Sequence, residues 1–580
     1  MAEIKLGQYL FARLAHLGIK TSSPGPGATA PRRLLPDPTL LRSIDRNEAP
    51  CLQPPPTPAY ELALLDLISD AGLAFRGNAN ELIAAYAADG YARINGTAGA
   101  LVTTFGPGEL SAYCGHAGAY AEFVPVVHVV GYPGVEAMRA RTLMHHSLGT
   151  GEFGVDTAVL TDPATAGAEI DRCLHAMLRE SRPVYIGVPV DMSHHLVPAE
   201  GLKTPLRRDL PANDPSTEEQ VVAEIWARIQ RAKNPIIILD GNAVRNNLQA
   251  EANRLAEVSG WKFFTTCMGK GGADESLPNY AGVYQGGGSI EVVRKAVEDD
   301  ADLVLWIGSF RTDFNTGEMT IFVDEAMTVD LQRFFTRIGA QRYEAGMKGV
   351  LTAILGKVEA DGSVKAKSAQ VEWDPYPLPE VAKERKQLTQ DFLWDALATI
   401  LKPDDLVVGE TGTSAFGLAA TRYPRGCTGY NQTVFGSIGY AGPSFTGALQ
   451  AAAEAKTATT ITTTTGSVSG GTVRRGILVT GEGSLQLTPM CFADLLKLDL
   501  RPLVFVLNNN GYTVERLIHG PTAEYNTLPA WDYRQLCTVF GPGHRSQYYG
   551  PITTCEGLAT LLESAEMREP GECFQVSLRR

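Results

Sequence analysis

Two short polar segments, each directly after an apolar run, carry groups suited to binding a metal ion. Gly476–Thr480 is apolar and runs into the letters GEGS, and Leu503–Leu507 runs into NNNG. Glu482 in the first segment offers a carboxylate. In the second, Asn509 offers an amide oxygen and Gly511 a backbone carbonyl. These hard oxygen ligands are too few to enclose an ion alone, but Mg²⁺ accepts such a set when phosphate oxygens complete its octahedron.

The elements that must position these groups form a βαβ unit. Between the two apolar runs, Met490–Leu500 carries apolar residues at helical spacing. A unit of this length predicts parallel neighbouring strands with a right-handed crossover. Both polar turns then lie at the carboxyl ends of the strands, where open α/β sheets bind ligands. Spacing alone leaves an ordinary Rossmann-like unit with polar loops as the alternative.

The residues of this stretch resemble the thiamine-diphosphate motif, in which Gly-acid-Gly-Ser precedes a helix, a strand and Asn-Asn. The longer string, SLQLT followed by VLNNNGYTVERLIHG, is similar to the pyruvate decarboxylase branch of that family, especially its fungal members. The resemblance implies that Glu482, Asn509 and Gly511 bind Mg²⁺. It also implies that Gly483, Ser484, Asn509 and Gly511 contact the cofactor. The family has Asp where this chain has Glu482, which keeps the charge but extends it by one methylene.

Further segments of the chain resemble the rest of the family's cofactor site. GNANELIAAYAADGYARINGT predicts a helix with Asn80 as its N-cap and Glu81 in its first turn. A glutamate there needs no function, because it interacts favourably with the helix dipole. In the family, however, the corresponding glutamate hydrogen-bonds the aminopyrimidine ring. The other residues that resemble cofactor contacts are Thr411 and Thr413 in ETGTSAFG, and Ser437 and the wedge residue Ile438 in FGSIG.

The resemblance implies a decarboxylase of 2-oxo acids that depends on thiamine diphosphate and Mg²⁺. Direct loss of carbon dioxide would leave an acyl anion that no side chain can stabilise, so an electron sink is required. The proton transfers need acid/base groups, and the candidates are Glu81, His145, His146 and Glu515. A histidine pair is usually structural, and we assign no chemistry to the second pair, His194-His195. Glu515, taken alone, would be a surface helix glutamate.

Three functions stay open. The first is decarboxylation of pyruvate to acetaldehyde, and the second is the same chemistry on indolepyruvate or phenylpyruvate. The third is a catalytically impaired homologue. It is suggested by Ala59, which stands near the place of a catalytic Asp in the family, and by a segment shortened after Gly154. The family also has a terminal helix after the final predicted strand, CFQVSLRR, and this chain has none.

The apolar runs and polar linkers predict an α/β protein of three domains, each a mainly parallel sheet flanked by helices. The predicted domains are a pyrimidine-binding domain (1–190), a Rossmann-like middle domain (217–358) and a diphosphate-binding domain (387–580). Ten of the chain's 35 prolines fall in an insertion, 21–58, which we expect to be a linker or loop without a central strand. A low-complexity segment, 454–472, predicts an exposed flexible loop.

The composition excludes several classes of function. A net charge of −13 over 580 residues argues against nucleic acid as a partner. The nine cysteines include no CxxC pair, so the sequence suggests neither a disulfide framework nor a zinc site. No run approaches the ~20 apolar residues that span a membrane. We therefore expect a cytoplasmic enzyme. By resemblance it is a homodimer or a dimer of dimers, with the cofactor held between subunits.

Overall fold

The computed structural model describes residues 2–19, 40–43, 60–140, 152–206, 210–362, 364, 387–458, 475–543, 546–568 and 573–579. Within these ranges the strands form three large sheets and one two-stranded sheet, and helices flank the large sheets. The α/β class that the sequence predicts is therefore confirmed.

The first large sheet is built from residues 40–189. Its six described strands are parallel throughout and lie in the order β3-β2-β4-β5-β7-β6, while β1 and β8 pair antiparallel beside it. The strands are β1 (Glu3–Lys5), β2 (Leu40–Ser43), β3 (Phe75–Asn78), β4 (Gly99–Thr104), β5 (Val126–Tyr132), β6 (Thr157–Val159), β7 (Val184–Pro189) and β8 (Leu196–Pro198). The helices are α1 (Leu6–His16), α2 (Leu62–Leu65), α3 (Glu81–Asn95), α4 (Pro107–Ala121), α5 (Val135–Ala140) and α6 (Pro163–Glu180).

One strand of this sheet lies where the sequence predicted a loop. β2 pairs in parallel with both β3 and β4, so it occupies an interior position of the sheet. The prediction that 21–58 contains no central strand was therefore wrong at 40–43. The physical reason is local: the stretch from 39 to 49 contains no proline, so its backbone N–H groups are free to join a ladder. The rest of 21–58 lies outside the described residues.

The middle sheet is mixed. β11-β10-β9-β12-β13 are parallel, and β14 and β15 extend this order as antiparallel strands. The strands are β9 (Pro235–Leu239), β10 (Lys262–Thr265), β11 (Tyr280–Val283), β12 (Leu303–Ile307), β13 (Thr328–Leu331), β14 (Thr336–Ile338) and β15 (Gln341–Tyr343). The helices are α7 (Pro215–Arg231), α8 (Gly241–Arg245), α9 (Gln249–Ser259), α10 (Glu291–Glu298) and α11 (Met347–Ala360). The two buried strands predicted from apolar runs, β9 and β12, are neighbours.

The third sheet contains the predicted βαβ unit. Its six described strands are parallel, in the order β17-β16-β18-β19-β21-β20. The strands are β16 (Leu406–Gly409), β17 (Thr428–Tyr430), β18 (Gly476–Gly481), β19 (Leu503–Asn508), β20 (Ser546–Ile552) and β21 (Cys573–Arg579). The helices are α12 (Gln390–Ile400), α13 (Thr413–Ala420), α14 (Ala441–Ala458), α15 (Glu482–Leu485), α16 (Cys491–Lys497), α17 (Thr513–His519), α18 (Leu536–Phe540), α19 (Cys555–Glu563) and α20 (Ala565–Arg568). β18, α16 and β19 confirm the strand-helix-strand prediction.

The segment predicted as a flexible loop, 454–472, begins inside a helix. α14 continues to Ala458, and Glu454 is buried, where its Oε2 accepts a hydrogen bond from the Tyr91 hydroxyl at 2.8 Å. The loop prediction was therefore wrong for 454–458, because a contact with α3 holds the last turns of α14 in place. The remaining part of the segment, 459–472, lies outside the described residues.

Helices α3 and α14 cross at very close range and join the first sheet to the third. A Cβ placed on Gly90 of α3 would lie 1.9 Å from the Ser444 carbonyl oxygen. A Cβ on Gly447 of α14 would lie 1.8 Å from the carbonyl oxygen of Ala87. Any side chain at either glycine would separate the two helices. Only glycine therefore permits this crossing.

Candidate cofactor site

A cavity of ≈ 800 Å³ lies at the carboxyl ends of β16, β18 and β19. This is the edge at which parallel α/β sheets bind ligands. Most of the site residues predicted from the sequence line it. They are Thr411, Thr413, Ile438, Glu482, Gly483, Ser484, Asn509, Gly511 and Glu515. The fold thus brings together four segments that are separated by up to about a hundred residues in the chain.

The predicted metal ligands form one cluster at the ends of β18 and β19. Oε1 of the buried Glu482 accepts a hydrogen bond from the backbone N–H of Gly511 at 2.7 Å. One atom of the Asn509 side-chain amide lies 3.2 Å from this same Oε1, 2.5 Å from the Gly511 carbonyl oxygen and 3.0 Å from Oγ1 of Thr513. Side-chain oxygen, side-chain amide and backbone carbonyl therefore converge on one small volume.

The chemistry of this cluster fits a divalent cation. If the amide nitrogen of Asn509 faces the cluster, it donates hydrogen bonds to the neighbouring oxygens. If the amide oxygen faces it, three acceptor oxygens meet, and a cation would stabilise this arrangement. Burial raises the pKa of the Glu482 carboxyl above its ordinary value, and a bound cation would lower it again. The set matches the oxygen ligands of Mg²⁺.

Glycines shape the backbone around this cluster. Gly511 has a φ of +129°, and a Cβ there would lie 2.2 Å from the carbonyl oxygen of Asn526. A Cβ on Gly483 would lie 2.7 Å from the Tyr512 ring and 2.8 Å from Cδ1 of Leu528. Both positions therefore exclude a side chain, which lets the two turns approach each other closely.

The predicted wedge residue, Ile438, lies on a turn that faces the Thr411 segment. The turn is made possible by Gly436 and Gly439, whose φ angles are +63° and +87°. Ile438 is 39% exposed and borders the cavity, so it is not a core isoleucine in the single chain. Ser437 does not line the cavity. Its backbone N–H donates to Oε1 of Gln432 at 2.7 Å, and its hydroxyl lies 2.6 Å from the Tyr86 hydroxyl.

Glu410, which sequence reasoning missed, connects these two segments. The carboxyl group is buried and accepts hydrogen bonds from the backbone N–H groups of Thr411 (2.9 Å), Ala441 (3.2 Å) and Gly439. Burial raises its pKa to about 7. Its position at the end of an apolar run, directly before Thr411, was the available sequence signal. What gives it importance is a contact with residues about thirty positions away.

Three buried polar atoms on residues that line the cavity have no hydrogen-bond partner among the described residues. They are Oγ1 of Thr411, Nε2 of Gln432 and Nδ2 of Asn526. Buried polar groups in folded proteins are nearly always paired, so unpaired groups around one cavity indicate a polar ligand. Gln432 and Asn526 were not predicted from the sequence, because no motif that we matched contains them.

Glu81 lies apart from this cavity in the single chain. It is the first residue of α3, and its neighbour Asn80 caps the helix by accepting a hydrogen bond from the Ile83 N–H at 2.9 Å. Glu81 is 9% exposed and does not line the cavity. A Cβ on Gly108 would lie 3.5 Å from Oε1 of Glu81, which places the carboxylate beside the start of α4.

Of the other predicted acid/base residues, only Glu515 is among the described residues. Glu515 lies on α17 at the edge of the cavity, and it is exposed in the single chain. His145 and His146 lie outside the described residues, as does Ala59. Gly154 is described and follows the undescribed stretch 141–151. His195 belongs to the segment before β8, where its carbonyl oxygen accepts from the Leu6 N–H at 2.9 Å, a backbone contact without chemistry.

Several kinds of site do not occur in the parts of the chain that are described. No three His, Cys, Asp or Glu side chains there form a metal-binding group, so a cation at Glu482 would depend on amide, carbonyl and phosphate oxygens. None of the described helices combines the length and apolar character needed to cross a bilayer. The cysteines at positions 114, 173, 267, 427, 491, 537 and 555 are free thiols.

Comparisons with known proteins show the family to which this chain is similar. The family "Thiamine pyrophosphate enzyme, N-terminal TPP binding domain" matches residues 58–150, and "Thiamine pyrophosphate enzyme, central domain" matches 222–357. The pyruvate decarboxylase of Aspergillus fumigatus is 37% identical over 97% of this chain and 92% of its own length. The pyruvate decarboxylase of Kluyveromyces lactis is 39% identical over 93% of this chain and 89% of its own length. Pyruvate decarboxylase isozyme 1 of Saccharomyces cerevisiae is 38% identical over 93% of this chain and 89% of its own length. This chain therefore belongs to the pyruvate decarboxylase family of thiamine pyrophosphate enzymes.

Proposed function

We propose that this protein catalyses the non-oxidative decarboxylation of pyruvate to acetaldehyde and carbon dioxide, using thiamine diphosphate and Mg²⁺. The observation that carries the proposal is the cavity itself. It combines an oxygen cluster suited to Mg²⁺ with a turn that presents Ile438. When bound, thiamine diphosphate supplies the electron sink that decarboxylation requires.

The residues of this chain have separate tasks in that reaction. Glu482, Asn509 and the Gly511 carbonyl would hold Mg²⁺, which in turn binds the diphosphate. Ser484 and Gly483, at the start of α15, lie on the same wall of the cavity, where backbone N–H groups at a helix end favour anions. Ile438 would support the cofactor between its two rings. The binding residues thus fix the cofactor's orientation before any bond changes.

The proton transfers fall to carboxyl and imidazole groups. Glu81 would hold a proton on its carboxyl group next to the pyrimidine ring. Glu515, at the cavity edge, and His145 and His146 would exchange protons with the substrate. We assign these roles by resemblance to the family. In the single chain Glu515 is exposed, so water would be excluded from it only when another surface covers the cavity.

We propose that this covering surface is a second copy of the chain. Glu81 does not line the cavity of its own chain. Apolar side chains are exposed at the cavity rim, on the lining residue Tyr525 and on α17, which carries the lining residue Glu515. The exposed fractions are 82% for Leu517, 68% for Ile518 and 70% for Tyr525. A homodimer, or a dimer of dimers, would bring the partner's first sheet to this rim. We propose the cytoplasm as the location.

The test is to purify the protein, add thiamine diphosphate and Mg²⁺, and measure acetaldehyde formed from pyruvate. Turnover that requires both additions is the expected result. Turnover of phenylpyruvate or indolepyruvate without turnover of pyruvate would change the substrate and keep the chemistry. Cofactor binding without turnover of any 2-oxo acid would overturn the proposal and indicate a catalytically impaired homologue.

A further inference from the structure

Asn526 lies against the turn that carries the proposed metal ligands, although it is fifteen residues further along the chain than Gly511. It ends a short 3₁₀ helix, Glu524–Asn526, that follows α17. Its carbonyl oxygen accepts hydrogen bonds from the Tyr512 N–H at 3.1 Å and from the Arg516 guanidinium at 3.3 Å. The backbone of Asn526 therefore holds the segment on the Gly511 turn.

Among the described residues, the side chain of Asn526 makes none of the hydrogen bonds that hold this segment in place. The residue is 1% exposed and lines the cavity, yet its amide nitrogen Nδ2 has no hydrogen-bond partner among the described residues. A buried amide N–H without a hydrogen-bond partner destabilises a folded protein. The backbone already fixes the turn, so this amide does not have a conformational task that would explain its burial.

The neighbourhood indicates which ligand would pair with this amide. Nδ2 is a donor only, so its partner must be an acceptor. The adjacent metal cluster, formed by Glu482, Asn509 and Gly511, holds a cation only if further oxygens complete its coordination. In a thiamine pyrophosphate enzyme those oxygens belong to the diphosphate. The anionic oxygens of the cofactor are therefore acceptors that would suit this amide.

We propose that Asn526 is a further binding residue for the cofactor, and that Nδ2 donates a hydrogen bond to an oxygen of its diphosphate. This inference rests on the proposed function, because it requires Mg-thiamine diphosphate in this cavity. A hydrogen bond to a charged oxygen is among the stronger polar contacts, so its loss weakens binding roughly tenfold or more. Asn526 binds the cofactor and does not enter the chemistry.

The experiment measures the affinity of the full-length apoprotein for two probes by calorimetry, both in excess Mg²⁺. Thiamine diphosphate is the first probe, and inorganic pyrophosphate, which contains only the anionic end, is the second. Asn526→Ala is expected to weaken both by about the same factor, roughly tenfold. Asn526→Asp keeps the size of the side chain but replaces the donor by a negative charge, and is expected to weaken both probes further.

The control is Asn431→Ala. Asn431 also lines the cavity, but its Oδ1 accepts a hydrogen bond from the Thr433 hydroxyl, and it belongs to neither turn that carries the proposed metal ligands. This variant is expected to bind pyrophosphate as the wild type does. If both Asn526 variants bind pyrophosphate as tightly as the wild type does, the inference is wrong. If the alanine variant fails to fold, the affinity of Asn526→Asp alone tests the inference. A wild-type protein that binds neither probe would instead overturn the proposed function.

Discussion

The carboxylate of Glu482 accepts a hydrogen bond from the backbone N–H of Gly511 at 2.7 Å, across the ends of two neighbouring strands. The extra methylene of Glu, relative to the family's Asp, is thus accommodated by a direct contact between the two turns. The carboxylate remains within the oxygen cluster that contains the Asn509 amide. The departure from the family pattern therefore keeps a carboxylate beside the other proposed metal ligands.

Glu482→Gln is expected to weaken Mg²⁺-dependent binding of thiamine diphosphate roughly a hundredfold, because it removes the one charged ligand of the cluster. Glu482→Asp is expected to retain binding within about tenfold. The measurement is a calorimetric titration with cofactor at several Mg²⁺ concentrations. Equal Mg²⁺ dependence in the wild type and the Gln variant would show that the ion binds elsewhere.

Glu81→Gln is expected to abolish turnover and to leave Mg²⁺-dependent cofactor binding nearly unchanged, because it removes the proton-holding group and keeps the oxygen cluster. The measurement is acetaldehyde release beside a cofactor titration. Unchanged turnover would refute the role of Glu81.

A mixture of two inactive variants tests whether sites are shared between subunits. Chains carrying Glu81→Gln are mixed with chains carrying Glu482→Gln under conditions that exchange subunits. If each site takes Glu81 from one chain and Glu482 from the other, mixed dimers contain one complete site and activity returns. If both residues serve the same site within one chain, no complete site forms and the mixture stays inactive.

Glu410 is expected to make the protein less stable as pH rises from about 4.5 to about 7. Its pKa is about 7 when folded and 4.5 as a free group, so the folded state binds the extra proton in that window. The full shift corresponds to about 3 kcal/mol, present below pH 4.5 and lost as pH passes 7. Glu410→Gln should therefore gain thermal stability relative to the wild type as pH rises across this window. A difference between the two melting temperatures that is constant with pH would contradict this.

His116 is expected to make the protein less stable as the pH falls, the opposite of Glu410. Both of its ring nitrogens are buried and have no hydrogen-bond partner within the described ranges, and burial lowers its pKa to about 4. The unfolded chain takes up the proton near pH 6.5, so stability is lost as pH falls from there towards 4, by about 3 kcal/mol. His116→Leu removes this dependence and the unpaired imidazole. In denaturant unfolding it should exceed the wild type in stability, with a growing margin below pH 6.5.

Lys270 is expected to stabilise the contact between the domain of the middle sheet and the domain of the third sheet. Its ammonium group donates to Oε2 of Glu275 at 2.7 Å and to the Thr421 carbonyl at 2.6 Å, and all three are buried. Lys270→Met leaves the buried carboxylate of Glu275 without its ion-pair partner and should lower stability by about 3–5 kcal/mol. The control is the exposed pair Lys203–Glu200, where Lys203→Met should lower the stability by at most about 1 kcal/mol. If Lys270→Met and Lys203→Met had equal melting temperatures, the prediction would be wrong.

The third sheet and its binding edge could be predicted because the signals are local. β18 and β19 are uninterrupted apolar runs, and each polar turn follows its strand directly, so Glu482 and Asn509 had to meet at one edge. β2 was missed because proline density in the surrounding segment masked four residues that are free of proline. Strand pairing joins residues that are far apart in the chain, so the amino-acid composition of one segment does not reveal it.

Glu410 and Asn526 were missed for a related reason. The importance of Glu410 comes from backbone N–H groups at Gly439 and Ala441, and that of Asn526 from a segment folding back on Gly511. Neither contact has a periodicity or a fixed spacing that the sequence shows. Both residues are recognised only by asking which buried polar groups have partners.

The glycine crossing of α3 and α14 sets the geometry of the proposed assembly. α3 begins at Glu81, and α14 begins three residues after Ile438, so the crossing at Gly90 and Gly447 fixes the spacing of these two residues within a chain. In the proposed dimer the same two residues serve different active sites. In such a dimer the helix crossing at these two glycines would set the distance between the two active sites.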